Sequence, residues 1–197
     1  MKITKIEDLH AASALGRFSF LKISTDEGLV GWAEFNEGSG SRALSCIIQA
    51  IGATLIGKDP LPVQKIATQL YQQTVQAPGG MNQRANAAIE MALWDIRAKA
   101  LGVPVYALFG GPVRTSIQVY WSHCGSYRIQ ASDKLGVKSV RTLDDIRDLG
   151  AEVQARGFKG LKTNCFYLVD GQLTRQMQGY GNQPGHAALN LERHTLD

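Results

Sequence analysis

The stretch Ala85-Asn86-Ala87-Ala88-Ile89-Glu90-Met91-Ala92-Leu93-Trp94-Asp95-Ile96-Arg97-Ala98-Lys99 runs on to Pro104-Val105-Tyr106-Ala107-Leu108-Phe109-Gly110. Ala85, Ala88, Ile89, Ala92, Ile96 and Ala100 recur at helical spacing and make one apolar stripe. Most of them are short, so the helix can lie close against its neighbours. Gly102 supplies a stop. An amphipathic helix accounts for the stripe. It does not account for Trp94-Asp95, Lys99 and the Pro-Val-Tyr-Ala-Leu-Phe-Gly tail at fixed spacing.

Upstream the period is two. Residues 2–9 alternate as a strand does, and residues 18–25 and 29–35 are rich in β-formers around the tight turn Asp26-Glu27-Gly28. Residues 10–17 are small and polar, which predicts an exposed loop between the first two strands. Leu44, Ile47, Ile48, Ile51 and Leu55 then share a helical face that ends at Gly57. Val63, Ile66, Ala67 and Leu70 give a second helix, opened by Pro60 and Pro62 and broken at residues 76–80.

Downstream of Gly110-Gly111-Pro112, residues 116–122 alternate and a polar stretch runs to about Arg141. Thr142-Leu143-Asp144-Asp145 opens a helix in the manner of a capping box, with Asp145 in the place of the usual Glu. Ile146, Leu149 and Val153 carry that helix to Gly157, and residues 158–164 read as a strand. Strand, helix, strand in this order predicts a parallel pair. Beyond Asn164 the chain is rich in Gly, Gln and Asn and predicts a long loop, with a helix start at Leu191 to Asp197.

Of the 197 residues, 44% are hydrophobic and 19% charged, an ordinary globular composition. No run is long and apolar enough to span a membrane, and residues 1–5 lack the apolar stretch of a signal peptide. The expectation is a cytoplasmic protein whose Cys46, Cys124 and Cys165 are reduced thiols. The net charge of +4 is spread thinly, without the basic cluster that nucleic acid requires, and suits an anionic small molecule better.

Two short patterns mislead. Gly38-Ser39-Gly40-Ser41-Arg42-Ala43 matches G-x-G-x-x-A, but the strand before it belongs to a hairpin and the helix after it leads to another helix. Gly52 to Asp59 resembles a phosphate-binding loop, but Asp59 replaces the metal-reaching hydroxyl and Gly52 lies inside a helix.

Position by position, residues 85–110 are similar to the N-terminal signature of the mandelate racemase/muconate lactonizing enzyme family of the enolase superfamily. Thr25 to Glu34 resembles that family's lid hairpin, Gly57-Lys58-Asp59-Pro60 its helix-to-helix link, and Gly157 to Asn164 its second barrel strand. The resemblance implies an α+β capping domain (antiparallel sheet plus helical bundle) over residues 1–112. It implies the first strands of an incomplete (β/α) TIM-type barrel over 113–197.

It also implies Mg2+, which stabilises an enediolate formed by removing the proton α to a carboxylate. The family's metal ligands are acids at the ends of the third, fourth and fifth barrel strands. The expectation is therefore an N-terminal half that lacks the metal site and is inactive alone, homo-oligomeric if full length. In racemase-like members the second strand carries Lys-x-Lys, where the first Lys helps bind carboxylate and the second is a base. Here the pair is Lys162 and Asn164.

An amide cannot take up a proton in this pH range. That favours dehydration of an acid sugar or hydroxy acid over two-base racemisation. Lys162 and Asn164 are the catalytic candidates, and Arg17 in the first lid loop and His123 are candidate substrate contacts. Lys-Thr-Asn and Ser122-His123-Cys124-Gly125 are similar to the galactonate-dehydratase-type members. The alternatives are a racemase or epimerase of the same family, and a non-catalytic remnant serving as a packing or dimerisation module.

Overall fold

The computed structural model describes residues 1–14, 16–38, 41–164, 166–169 and 172–175. The chain divides into two compact units, Met1–Val113 and Arg114–Asp197. In the first, β1 (Ile3–Ser13) pairs antiparallel with β2 (Gly16–Thr25), and β2 with β3 (Val30–Phe35). The β1–β2 ladder runs from Ile3 opposite Thr25 to Ser13 opposite Gly16. Residues 10–13 and 16–17, expected as loop, are therefore strand. Their side chains are exposed, so no apolar alternation marks them, and backbone pairing alone extends the hairpin.

Leu21 and Ile23 on β2 and Ala33 and Phe35 on β3 point into the core. Across from them lie α1 (Leu44–Gly52), a 3-10 turn (Ala53–Leu55), α2 (Val63–Gln73) and α3 (Gly80–Ala100). Leu44, Ile48, Leu55, Val63 and Leu70 are fully buried with Ala85, Ile89, Ala92, Leu93 and Ile96 of α3. The helix starts five residues before its apolar stripe because residues 80–84 lie largely outside the core, where sequence periodicity carries no signal. Ala100, expected on the stripe, is exposed.

The small-residue helix lets the sheet come very close. A Cβ added at Gly31 would lie 2.7 Å from Ile96 Cγ1 and closer still to the Ala92 carbonyl oxygen. Beside this contact the outer edge of β3 is closed by side chains. Asp95 Oδ2 accepts from the Trp32 amide at 2.9 Å and from Lys99 Nζ at 2.6 Å, and Lys99 Nζ also donates to the Val30 carbonyl at 2.7 Å. This clamp is the reason for Asp95 and Lys99 in the signature. The start of β1 is closed by backbone: Gly57 N donates to Ile3 O (2.8 Å) and Ile3 N to Lys58 O (2.9 Å). Gly57 makes that turn at φ +81°, a left-handed value that glycine adopts without strain.

In the second unit β4 (Trp121–Ser122) runs parallel to β5 (Leu161–Lys162). Both strands are shorter than their alternating sequences predict. Between them lie α4 (Cys124–Gln130), α5 (Ser132–Leu135) and α6 (Leu143–Ala155). The first two helices fall in the stretch read as merely polar, because α4 buries only the small Cys124, Gly125 and Ser126 and shows no apolar period.

The capping box is present: Thr142 Oγ1 accepts from the Asp145 amide, and Asp145 Oδ2 accepts from the Thr142 amide. Cys124, Val140, Leu149, Val153 and Leu173 form the second core. Leu173 belongs to a hairpin, β6 (Phe166–Val169) and β7 (Gln172–Arg175), where a loop was expected. The Leu173 amide donates to the Arg141 carbonyl at 2.9 Å. The helix expected at residues 191–197 and Cys165 lie outside the described residues.

Candidate active site

Parallel pairing of Trp121 with Leu161 and Ser122 with Lys162 sets the C-terminal ends of β4 and β5 side by side. The next residue after β4, His123, turns the chain straight into α4 with left-handed backbone (φ 53°, ψ 25°). Histidine is among the few non-glycine residues that adopt this conformation with some frequency. Its ring lies 5.3 Å from that of Tyr127.

Asn164 stands two residues past β5 and meets α4. Its backbone amide donates to Ser126 Oγ at 3.3 Å, and the Ser126 hydroxyl donates to Asn164 Oδ1 at 2.6 Å. His123 Nδ1 approaches the same Oδ1 at 3.3 Å. Ser126 is completely buried, while His123 and Asn164 are half-buried and reachable. The sequence candidates His123 and Asn164 are thus brought together. Lys162 ends β5 with an exposed side chain. Leu161 and Thr163 on either side of it are exposed as well. Ser126 was missed, because a buried serine inside a polar stretch leaves no pattern to read.

Arg17 lies in the first unit near the tip of the β1–β2 hairpin. Its Nη2 stands 3.6 Å from Glu37 Oε2. The Glu37 carboxylate also accepts from the Ser45 amide at 2.8 Å, and Arg84 donates to Ser41 Oγ, so the loop after β3 is tied to α1 and α3. Burial would raise the Glu37 pKa, but donation from Ser45 and the charges of His10 and Arg17 hold it below its ordinary value.

A second polar string braces the lid. Gln49 donates to Asp8 Oδ1 (2.7 Å), Asp8 Oδ2 meets His10 Nε2 (3.0 Å), and His10 Nδ1 meets Ser19 Oγ (3.0 Å). Burial opposes ionisation of Asp8, and the bonds from His10 and Gln49 outweigh it, so its pKa is lowered. Ser19 is buried, which makes this string a support for the hairpin and no nucleophile.

Among the described residues no three His, Cys, Asp or Glu side chains stand together closely enough to hold a metal ion, so they do not fit a magnesium site. Among the same residues no helix is long and apolar enough to cross a membrane.

A three-stranded antiparallel lid packed on helices, followed by parallel β/α segments with polar groups at their strand ends, is the architecture of the enolase superfamily. Within it, the chain belongs to the mandelate racemase/muconate lactonizing enzyme family, whose N-terminal domain matches residues 10–110. It is 43% identical over 120 residues to a D-galactonate dehydratase of Variovorax paradoxus, covering 61% of this chain and 31% of that protein. It is 37% identical over 170 residues to the D-galactonate dehydratase of Xanthomonas axonopodis pv. citri, covering 86% and 41%.

A crystal structure of a Burkholderia xenovorans protein, provisionally called an L-alanine-DL-glutamate epimerase, superposes with TM-score 0.90 at 35% identity. The match covers 100% of this chain and 49% of that one. A second structure under the same name holds magnesium and fumarate. The chain thus spans about two fifths or less of those curated relatives, and about half of that crystallised protein.

Proposed function

We propose that this chain provides the lid and the opening barrel segment of an acid-sugar dehydratase. The reaction removes the proton α to a carboxylate and expels the β-hydroxyl as water. The observation that carries the reading is Asn164: its side-chain oxygen accepts from Ser126 and lies 3.3 Å from His123 Nδ1, at a position where a two-base racemase of this family would place a lysine. An amide there can orient substrate but cannot take its proton.

In this reading the exposed ammonium of Lys162 meets the substrate carboxylate and His123 meets the sugar chain. The base and the acidic groups that hold magnesium are then residues other than those described. The D-galactonate dehydratases among the relatives support the substrate class. Epimerisation is the second reading, favoured by the fit to the Burkholderia protein.

A chimaera separates the two. This chain replaces the matching residues of the Xanthomonas dehydratase, and turnover of D-galactonate is followed by NMR in D2O. The expected product is the 2-keto-3-deoxy acid. A chimaera that binds magnesium and inverts the α-carbon, or exchanges its proton, without losing water would overturn the proposal.

A further inference from the structure

The hydrogen bonds at the end of β5 decide which nitrogen of His123 carries its proton. Ser126 Oγ accepts from the Asn164 backbone amide, and it is fully buried. Its own hydroxyl proton needs an acceptor, and the one provided is Asn164 Oδ1 at 2.6 Å. Were the Asn164 side chain turned over, its NH2 group would face Ser126 as a further donor. The buried hydroxyl proton would then lose the acceptor it has, a cost of about 1–3 kcal/mol. The orientation of the amide is therefore set by Ser126.

With Oδ1 facing His123 Nδ1 at 3.3 Å, two acceptors would oppose each other unless Nδ1 bears the hydrogen. Neutral His123 is then the Nδ1–H tautomer, and Nε2 offers a lone pair. No protein group among the described residues takes it. A half-turn of the ring about Cβ–Cγ would bring a carbon, not Nε2, to Asn164 Oδ1, and the Tyr127 ring lies 5.3 Å from it.

We infer that His123 is a specificity-determining acceptor for a substrate hydroxyl, held in its Nδ1–H form by Asn164 and Ser126 acting as positioning residues. The inference rests on the acid-sugar reading for its ligand and on this network alone for its tautomer. An acceptor lone pair favours a polyhydroxylated acid over a plain carboxylic acid. A carboxylate brought to Nε2 would meet a lone pair and no donor, whereas a hydroxyl has a proton to give.

The test uses the 197-residue chain, 15N-labelled, with long-range 1H–15N correlation across the imidazole rings. The His123 signals are identified by their loss in His123→Gln. Free histidine in water favours the Nε2–H form. The expectation here is the reverse, a protonated Nδ1 and a pyridine-like Nε2, and an Nε2–H signal would overturn the assignment. Ser126→Ala should return His123 towards the solution mixture with the far-UV circular dichroism unchanged.

Should Ser126→Ala unfold the second unit, Asn164→Asp serves instead. A carboxylate keeps both acceptor contacts, so the Nδ1–H form should persist. Loss of the Nδ1–H form in that variant counts against the network. Added D-galactonate should shift the Nε2 resonance, and added propionate should not. No shift, or an equal shift with both, removes the hydroxyl-acceptor role and leaves the dehydratase reading to the chimaera.

Discussion

Replacing Gly31 by alanine probes the closest approach in the lid. The new methyl would sit 2.7 Å from Ile96 Cγ1 and nearer still to the Ala92 carbonyl, whereas carbon contacts are relaxed at about 3.5–4.0 Å. Sheet and helix must separate locally by about 1 Å, and a gap of that size forfeits about a quarter to a half of each dispersion contact across it. The obstacle is backbone on a helix whose buried face is filled, so side-chain rotation cannot relieve it.

Overpacking of this kind costs about 1–3 kcal/mol. Opening the clamp hydrogen bonds at Trp32 and Val30 adds about 1 kcal/mol each. Burying a methyl returns about 0.8 kcal/mol, and relief of glycine's chain entropy about 0.5–1 kcal/mol. The net loss is about 1–4 kcal/mol. Urea unfolding followed by tryptophan fluorescence in a Trp121→Phe background reports Trp32 and Trp94 of the lid alone. Gly150→Ala, made with Trp121 kept as the reporter of the second unit, is the control, since nothing lies within 4 Å of a Cβ there and α6 should gain about 0.5–1 kcal/mol. A Gly31→Ala loss below about 0.5 kcal/mol would refute the close-approach reasoning.

Asp95→Ala removes the acceptor shared by Trp32 and Lys99; it should cost about 1 kcal/mol in the same unfolding assay, and light scattering should show self-association through the uncovered β3 edge. The Asp145 carboxyl is held below the usual range by Lys138 and by the amides of Arg141 and Thr142. Its contribution is complete above its unfolded pKa of about 4 and is lost as pH falls towards the lower folded value. Asp145→Asn should therefore flatten the acid limb of stability of the second unit, measured as urea midpoint against pH from Trp121 fluorescence. Asn164→Lys in the chimaera introduces a second base, and exchange of the α-proton with D2O should appear where the parent shows only water loss; its absence would argue that residue 164 does not face the α-carbon.

The lid was legible because its residues obey simple periods. The β-former runs of β2 and β3 and the small-residue stripe of α3 mark buried faces, and the residues that the stripe left unexplained, Asp95 and Lys99, are those that join helix to sheet edge. The hairpin extension at residues 10–17 was not legible, because backbone pairing of exposed small residues leaves no side-chain pattern. The same holds for α4, whose buried face is Cys124, Gly125 and Ser126.

At the candidate site, His123 and Asn164 could be named from residue type and strand position. Their meeting depends on a two-residue parallel pairing and on the buried hydroxyl of Ser126, neither of which has a sequence period. Arg17 was chosen as a loop residue and is found on strand, paired with Glu37.

The clamp between α3 and β3 also has a consequence for the order of folding. Its two bonds to the strand join residues 63 and 69 positions apart, Trp32 to Asp95 and Val30 to Lys99. Contacts so distant in sequence slow folding, because a long loop must close before they form. During synthesis the hairpins can pair early, yet β3 keeps an open edge until Lys99 has left the ribosome. Throughout that interval the nascent sheet is a template for any neighbouring extended chain. A helix that finishes the sheet from its far side is thus also what ends its vulnerable period.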